Sequence, residues 1–147
     1  MYCTLDDIKM SLPKEIIVQL TDDANPSISS GGVVNKRIVD AAIKESGALI
    51  DSFVGGRYPL PFPNTPPILK KVCVDLSVYD LHERCMAFDD NPGMRKRYDN
   101  AIKLLNQIAD GEILLGVPPS AESPGFFTGS LVEGGPAQFT MNSMRGL

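Results

Sequence analysis

The chain lacks any long apolar run. Nothing in its 147 residues approaches the roughly 20 consecutive apolar positions that a bilayer-crossing helix requires, so no membrane partner is expected. The opening Met1-Tyr2-Cys3-Thr4-Leu5-Asp6-Asp7 has no basic stretch followed by an apolar one, and a secretory signal is not expected. Cysteine is scarce, odd in number and widely spaced, at positions 3, 73 and 85. That spacing argues against a disulfide framework and points to reduced thiols in a cytosolic setting. Basic excess is missing too. A net charge of −4 does not suit a protein that coats nucleic acid through a basic face. It does suit one that surrounds nucleic acid without gripping the phosphates.

Reactive constellations are equally thin. His82 and Cys85 stand three apart on a helical pattern and could pair as base and nucleophile, but no residue to orient the histidine and no oxyanion donors are identifiable. An outward histidine and a packed cysteine is the plainer reading. Cys3, Cys73, Cys85 and His82 are zinc-ligand types without paired Cys-x-x-Cys knuckles, and two of them point to different faces of a helix. Asp22-Asp23-Ala24-Asn25 and Asp89-Asp90-Asn91-Pro92-Gly93 are oxygen-rich but lack the ligand alternation of a calcium loop; turns and helix caps explain them better. Gly31-Gly32 and Gly55-Gly56 belong to no phosphate-binding pattern. No catalytic residue, metal site or cofactor is therefore expected.

What the sequence does contain is helical amphipathicity. Thr4-x-x-Asp7 has capping-box form ahead of a short helix over about Leu5 to Ser11, and Pro13 can open a second through Leu20. Thr21 to Val34 reads as a loop. Asn35 is a good N-cap for a helix to about Val54, with Val39, Ala42, Ile43, Ser46, Leu49, Ile50 and Phe53 on one stripe. A later helix, about Met94 to Asp110, carries Met94, Tyr98, Ala101, Ile102, Leu105, Ile108 and Ala109, with Gly111 placed to end it. Arg95-Lys96-Arg97 at its start is a solvated surface, a contact with acidic residues of a partner, or a phosphate contact.

The helix between them, about Pro67 to Phe88, is different. Leu69, Val72, Cys73, Leu76 and Tyr79 form one stripe, and Val74, Val78, Leu81 and Cys85 form another, nearly opposite. A helix apolar on two sides is buried on two sides. Either another subunit or the chain's own N-terminal helices cover the second stripe.

Joining the two long helices is Gly55-Gly56-Arg57-Tyr58-Pro59-Leu60-Pro61, a stiff extended bridge bounded by Pro66-Pro67. Arg57 and Tyr58 are residue types favoured as interface anchors, although Tyr58 can equally roof the core where the helices part. From Val117 onward, Pro118-Pro119, Ser123-Pro124-Gly125 and Gly134-Gly135-Pro136 describe a tail without helical period. Its bunched apolar residues, among them Phe126, Phe127, Leu131 and Phe139, fall short of the entropy of ordering about thirty residues. The tail needs docking surface and hydrogen bonds from elsewhere, as in strand addition to a neighbour.

These residues together resemble the small virion protein encoded in the head-gene region of Mu-like phages and prophages. The likeness rests on Tyr2-Cys3-Thr4-Leu5-Asp6-Asp7-Ile8, on Ile50-Asp51-Ser52-Phe53 leading into Gly56-Arg57-Tyr58-Pro59-Leu60-Pro61, and on Pro67-x-Leu69-Lys70. Arg97-Tyr98-Asp99-Asn100-Ala101 and Gly111-Glu112-Ile113 complete it, across about Met1 to Val117. The glycine-rich Ser29 to Val34 loop departs from the pattern.

The resemblance implies a helical head–tail connector, or adaptor, forming a ring beneath the portal of a long-tailed phage. Adaptors of that kind usually assemble as twelve copies, add to the portal after DNA packaging, and receive the next tail-completion protein. The expectation is thus a mainly α fold. It is a small bundle of four to five helices, with an extended loop between the two central long helices and an irregular or β-like C-terminal tail. Residues 1–117 form the helical connector domain and 118–147 the docking tail. Expected partners are the portal protein, neighbouring copies of the chain and a further tail-completion protein, with DNA only passing through the channel. The expected location is the head–tail junction of the virion, after synthesis in the host cytoplasm. Expected interface residues are Arg57, Tyr58, Leu60, Val74, Val78, Leu81, Phe126, Phe127, Leu131 and Phe139. Alternatives are a stopper or tail terminator, commonly β-rich, and, in a different class, a small phage-encoded enzyme using Cys85 and His82.

Overall fold

A computed structural model describes residues 1–23, 32–85 and 91–119. Among them the chain forms five helices and no strand, as the periodicity predicts.

Helix α1 (Leu5–Ser11) opens with the expected capping box. The Asp7 amide donates to Thr4 Oγ1 at 3.4 Å, and the Thr4 amide donates to Asp7 Oδ2 at 2.9 Å, which satisfies two otherwise orphaned donors. Pro13 stands at the N-cap of α2 (Lys14–Thr21). Thr21 is buried at the end of α2, where its hydroxyl donates to Ile17 O at 2.8 Å and accepts from the Asn35 amide at 3.1 Å. One side chain thus ties the end of α2 to the start of α3 (Lys36–Val54). Asn35 holds the N-cap position of α3 without a side-chain cap bond.

Helix α4 (Pro67–Arg84) begins where the proline pair predicts but stops before the expected Phe88. Residues 86–90 lie outside the described chain. Helix α5 (Pro92–Asp110) starts two residues earlier than the apolar stripe suggests, because Pro92 takes the first helical position behind an Asn91 cap. Proline tolerates that position, where its missing amide costs nothing.

Helix α4 is the centre of the bundle and touches all four other helices. Its two stripes are accordingly both buried: Leu69, Val72, Cys73 and Leu76 on one, Val78 and Leu81 on the other. Helix α2 joins the second side, where Arg84 Nη1 and Cys85 Sγ both donate to Leu20 O. Val78 and Leu81, expected at a subunit interface, are each only 1% exposed within the single chain. The chain itself, not a second subunit, covers these two positions. Val74 is half-buried, beside Met10 and Lys71 in a shallow depression.

Candidate interaction surface

The bridge between α3 and α4 is built from the inside outward. Helix α3 ends at Gly55, and the Arg57 and Tyr58 amides fold back to Val54 O at 3.0 and 2.9 Å. That turn drives Tyr58 inward. Its ring is 1% exposed, tilts against Phe62 and, through Phe62, meets Tyr2 edge-on. The Tyr58 hydroxyl accepts from the Leu115 amide at 3.3 Å, so the segment after α5 is anchored to the bridge. Tyr58 therefore roofs the core rather than standing outside as an interface anchor.

Arg57 is half-buried and lies against the end of α5. Gly111 there adopts φ 82°, and a Cβ at Gly111 would sit 2.3 Å from Arg57 Nη1. Only glycine meets both demands, a left-handed backbone and a guanidinium packed on its face. Leu60, 37% exposed and followed by a cis peptide to Pro61, is the apolar tip of the bridge. Phe126, Phe127, Leu131 and Phe139 lie outside the described residues.

Sequence reasoning missed a surface on the neighbouring face. The stripes of α3 and α5 are wider than the core they share. Val39, Ile43, Ile50, Leu105 and Ile108 are fully buried, but Leu49 and Phe53 of α3 and Tyr98 and Ile102 of α5 are only partly covered. These four overhanging residues floor an open groove of about 700 Å³. Asp99, Asp110 and Glu112 lie along it with Lys103, which gives the rim a net acidic charge. The signal was present in the sequence as two stripes of seven positions each, more than a five-helix core of this size needs to bury.

Electrostatics on the remaining faces is local. Asp75, 7% exposed, receives Lys71 Nζ at 2.7 Å and Arg97 Nε at 3.6 Å, so one member of the basic Arg95–Arg97 run is spent inside the chain. Lys70 Nζ lies 2.7 Å from Asp7 Oδ1, and this partner lowers the Asp7 pKa. Asp80 moves the other way: burial, with Glu45 and Glu83 nearby, raises its pKa even though Ser46 Oγ donates to it at 3.2 Å. Tyr79 stacks on Tyr98 with ring centroids 4.3 Å apart.

His82 and Cys85 do not form a reacting pair. His82 Nδ1 lies 3.0 Å from Val78 O, and since a carbonyl only accepts, that nitrogen carries the proton. Cys85 Sγ donates to Leu20 O at 3.4 Å. No group of three or more metal-ligating side chains occurs among the described residues. No described helix is long and apolar enough to cross a membrane. Asp23 is held by Arg84 rather than arranged as a cation ligand.

Comparison with known proteins points to Mu-like phages. The Mu-like prophage FluMu protein gp36 of Haemophilus influenzae (strain ATCC 51907 / DSM 11121 / KW20 / Rd) is 31% identical over 108 residues, 74% of each chain. Residues 2–127 match the family described as Bacteriophage Mu, Gp36, a span that runs from Tyr2 past the helical bundle to Phe127. This phage-encoded chain belongs to the bacteriophage Mu Gp36 family.

Proposed function

We propose that the chain is a structural, non-enzymatic virion protein, a subunit of the head–tail connector ring beneath the portal. The observation that carries the proposal is the α3–α5 groove. Leu49, Phe53, Tyr98 and Ile102 form an apolar floor that the described residues leave open. Its occupant is a neighbouring copy of the same chain. Helix α5 spells out the polarity of that contact: Lys96 stands exposed near its start, while Asp110 and Glu112 flank the groove at its end. Opposite charges at opposite ends favour head-to-tail docking over a two-fold pair. Head-to-tail contacts that close generate a ring.

Exposed Leu60 at the tip of the bridge extends the apolar surface offered to neighbours. The segment 118–147, with Phe126, Phe127, Leu131 and Phe139, reaches the portal protein or an adjacent subunit. An acidic chain lining the passage lets DNA slide without binding. The helical architecture speaks against the β-rich stopper and terminator alternatives.

Native mass spectrometry of the full chain, alone and with portal protein, tests the proposal. A closed multimer on the portal is expected, and a chain that stays monomeric under both conditions overturns it. Truncation after Pro119 is expected to leave a helical protein that no longer docks. Docking that survives the truncation removes the tail from the contact.

A further inference from the structure

The residues ahead of α1 carry Cys3 onto the middle of α4. There its sulfur lies 3.1 Å from Cys73 Sγ, across 70 positions of sequence. Both thiols are buried, at 2% and 0% exposure. Ser77, one turn along α4, has its hydroxyl oxygen 2.8 Å from Cys73 O and 3.1 Å from Ser46 Oγ, which fixes the helix surface against which the pair sits. Cys85 stands apart at the end of α4, bonded to Leu20 O. The wide spacing in sequence concealed this pairing, which only the docking of the N-terminal arm creates.

We propose that Cys3 and Cys73 are a latent disulfide site, closed by a small-molecule disulfide oxidant such as glutathione disulfide, which staples the N-terminal arm to the central helix. The sulfurs must approach by only about 1 Å to reach bonding distance. Hydrogen bonds from Cys73 and Ser77 lower the Cys3 pKa against the opposing effect of burial, while the neighbouring Cys3 sulfur and burial push Cys73 up. Cys3, carried on the arm, is the thiol that opening of the arm exposes, and its thiolate is the reactive form.

Access comes through the arm. Residues 1–4 precede α1 and are held by the Tyr2 hydroxyl on Asp51 and the Tyr2–Phe62 ring contact. A short non-helical segment held by few contacts opens far more cheaply than the whole fold. The Cys3 thiolate attacks one sulfur of glutathione disulfide, the sulfur–sulfur bond breaks, and one glutathione leaves as its thiolate and is protonated. After the arm closes, Cys73 loses its proton and attacks Cys3 Sγ, displacing the second glutathione. Two cysteines are oxidised by two electrons, and one glutathione disulfide is reduced to two thiols. The new bond closes a loop that contains α1, α2, α3 and the bridge, which restricts the unfolded chain most.

The experiment uses the folded full-length chain, incubated with glutathione disulfide at mildly alkaline pH and analysed by intact mass, peptide mapping and thermal unfolding. The expected product has lost two hydrogens, yields a Cys3–Cys73 linked peptide, and unfolds about 5–10 °C higher, with reversal by dithiothreitol. Cys85→Ser is expected to close the bond as the parent does, and Cys3→Ser to form no intramolecular bond. Three titratable thiols after incubation, glutathione retained on Cys3 without closure, or a bond through Cys85 would each overturn the proposal. Peptide mapping of the unsubstituted chain decides between these outcomes even if a variant fails to fold.

Discussion

At the scale of single residues, two positions convert local geometry into stability. Gly111 ends α5 with φ 82° while the Arg57 guanidinium covers its α-carbon. Gly111→Ala is expected to cost about 1–2 kcal/mol from the left-handed backbone alone, and more because Arg57 must move. Thermal unfolding checks this: an unchanged Tm would mean that the end of α5 does not need the glycine. Asp80 offers a pH test. Its folded-state pKa is raised by burial, so its favourable contribution is complete below the unfolded pKa and lost as pH rises through the folded one. At pH 7 the ionised carboxylate is a liability. Asp80→Asn is expected to stabilise the fold there, by no more than about 1 kcal/mol because solvent screens a half-exposed group. The gain should shrink as pH falls into the carboxyl range near about 4. Asp7, lowered by Lys70, has the opposite sign, so its contribution is present above the unfolded pKa and lost in acid. A stabilisation by Asp80→Asn that grows on acidification contradicts the assignment.

At the scale of elements, the bridge and the segment after α5 act as one unit because the Tyr58 hydroxyl accepts from the Leu115 amide. Tyr58→Phe keeps the ring in the core and removes that acceptor, so a cost of about 1 kcal/mol is expected. The loss should appear first as faster amide hydrogen exchange at Leu115. Unchanged protection there would separate the two segments. The helices themselves were legible in the sequence, since Thr4, Pro13, Pro66-Pro67 and Gly111 punctuate them as capping chemistry dictates. The roles of Tyr58, Val78 and Leu81 were not. Apolar residues at helical spacing reveal that a face is buried, but not whether the cover comes from the same chain. Here the cover comes from the same chain, and at the end of the helix part of it is α2, where Leu20 meets Arg84 and Cys85 from some sixty positions away in sequence. Leu49, Phe53, Tyr98 and Ile102 illustrate the converse, because they share the period of core residues yet stop short of the core.

For the whole molecule, the question is which apolar surface remains once the bundle has closed. The buried second stripe of α4 removes one argument for association, and the α3–α5 groove supplies another in a different place. Ile102 separates folding from assembly because it is half-buried at the floor of the groove while its helix neighbours Ala101 and Leu105 fill the core. Ile102→Glu adds a carboxylate to a groove already flanked by Asp99, Asp110 and Glu112. The monomer should stay helical and lose no more than about 1–2 kcal/mol, since only part of the side chain is withdrawn from water. A neighbouring copy, by contrast, would have to bury that charge without a partner, a far larger penalty. Ring formation on the portal should therefore fail while circular dichroism is unchanged. Lys96→Glu on a second copy tests the same contact from its other side, and should weaken assembly more at low salt than at high salt. Rings that form normally from Ile102→Glu subunits would exclude the groove from the subunit contact and leave Leu60 and the segment beyond Pro119 as its remaining carriers.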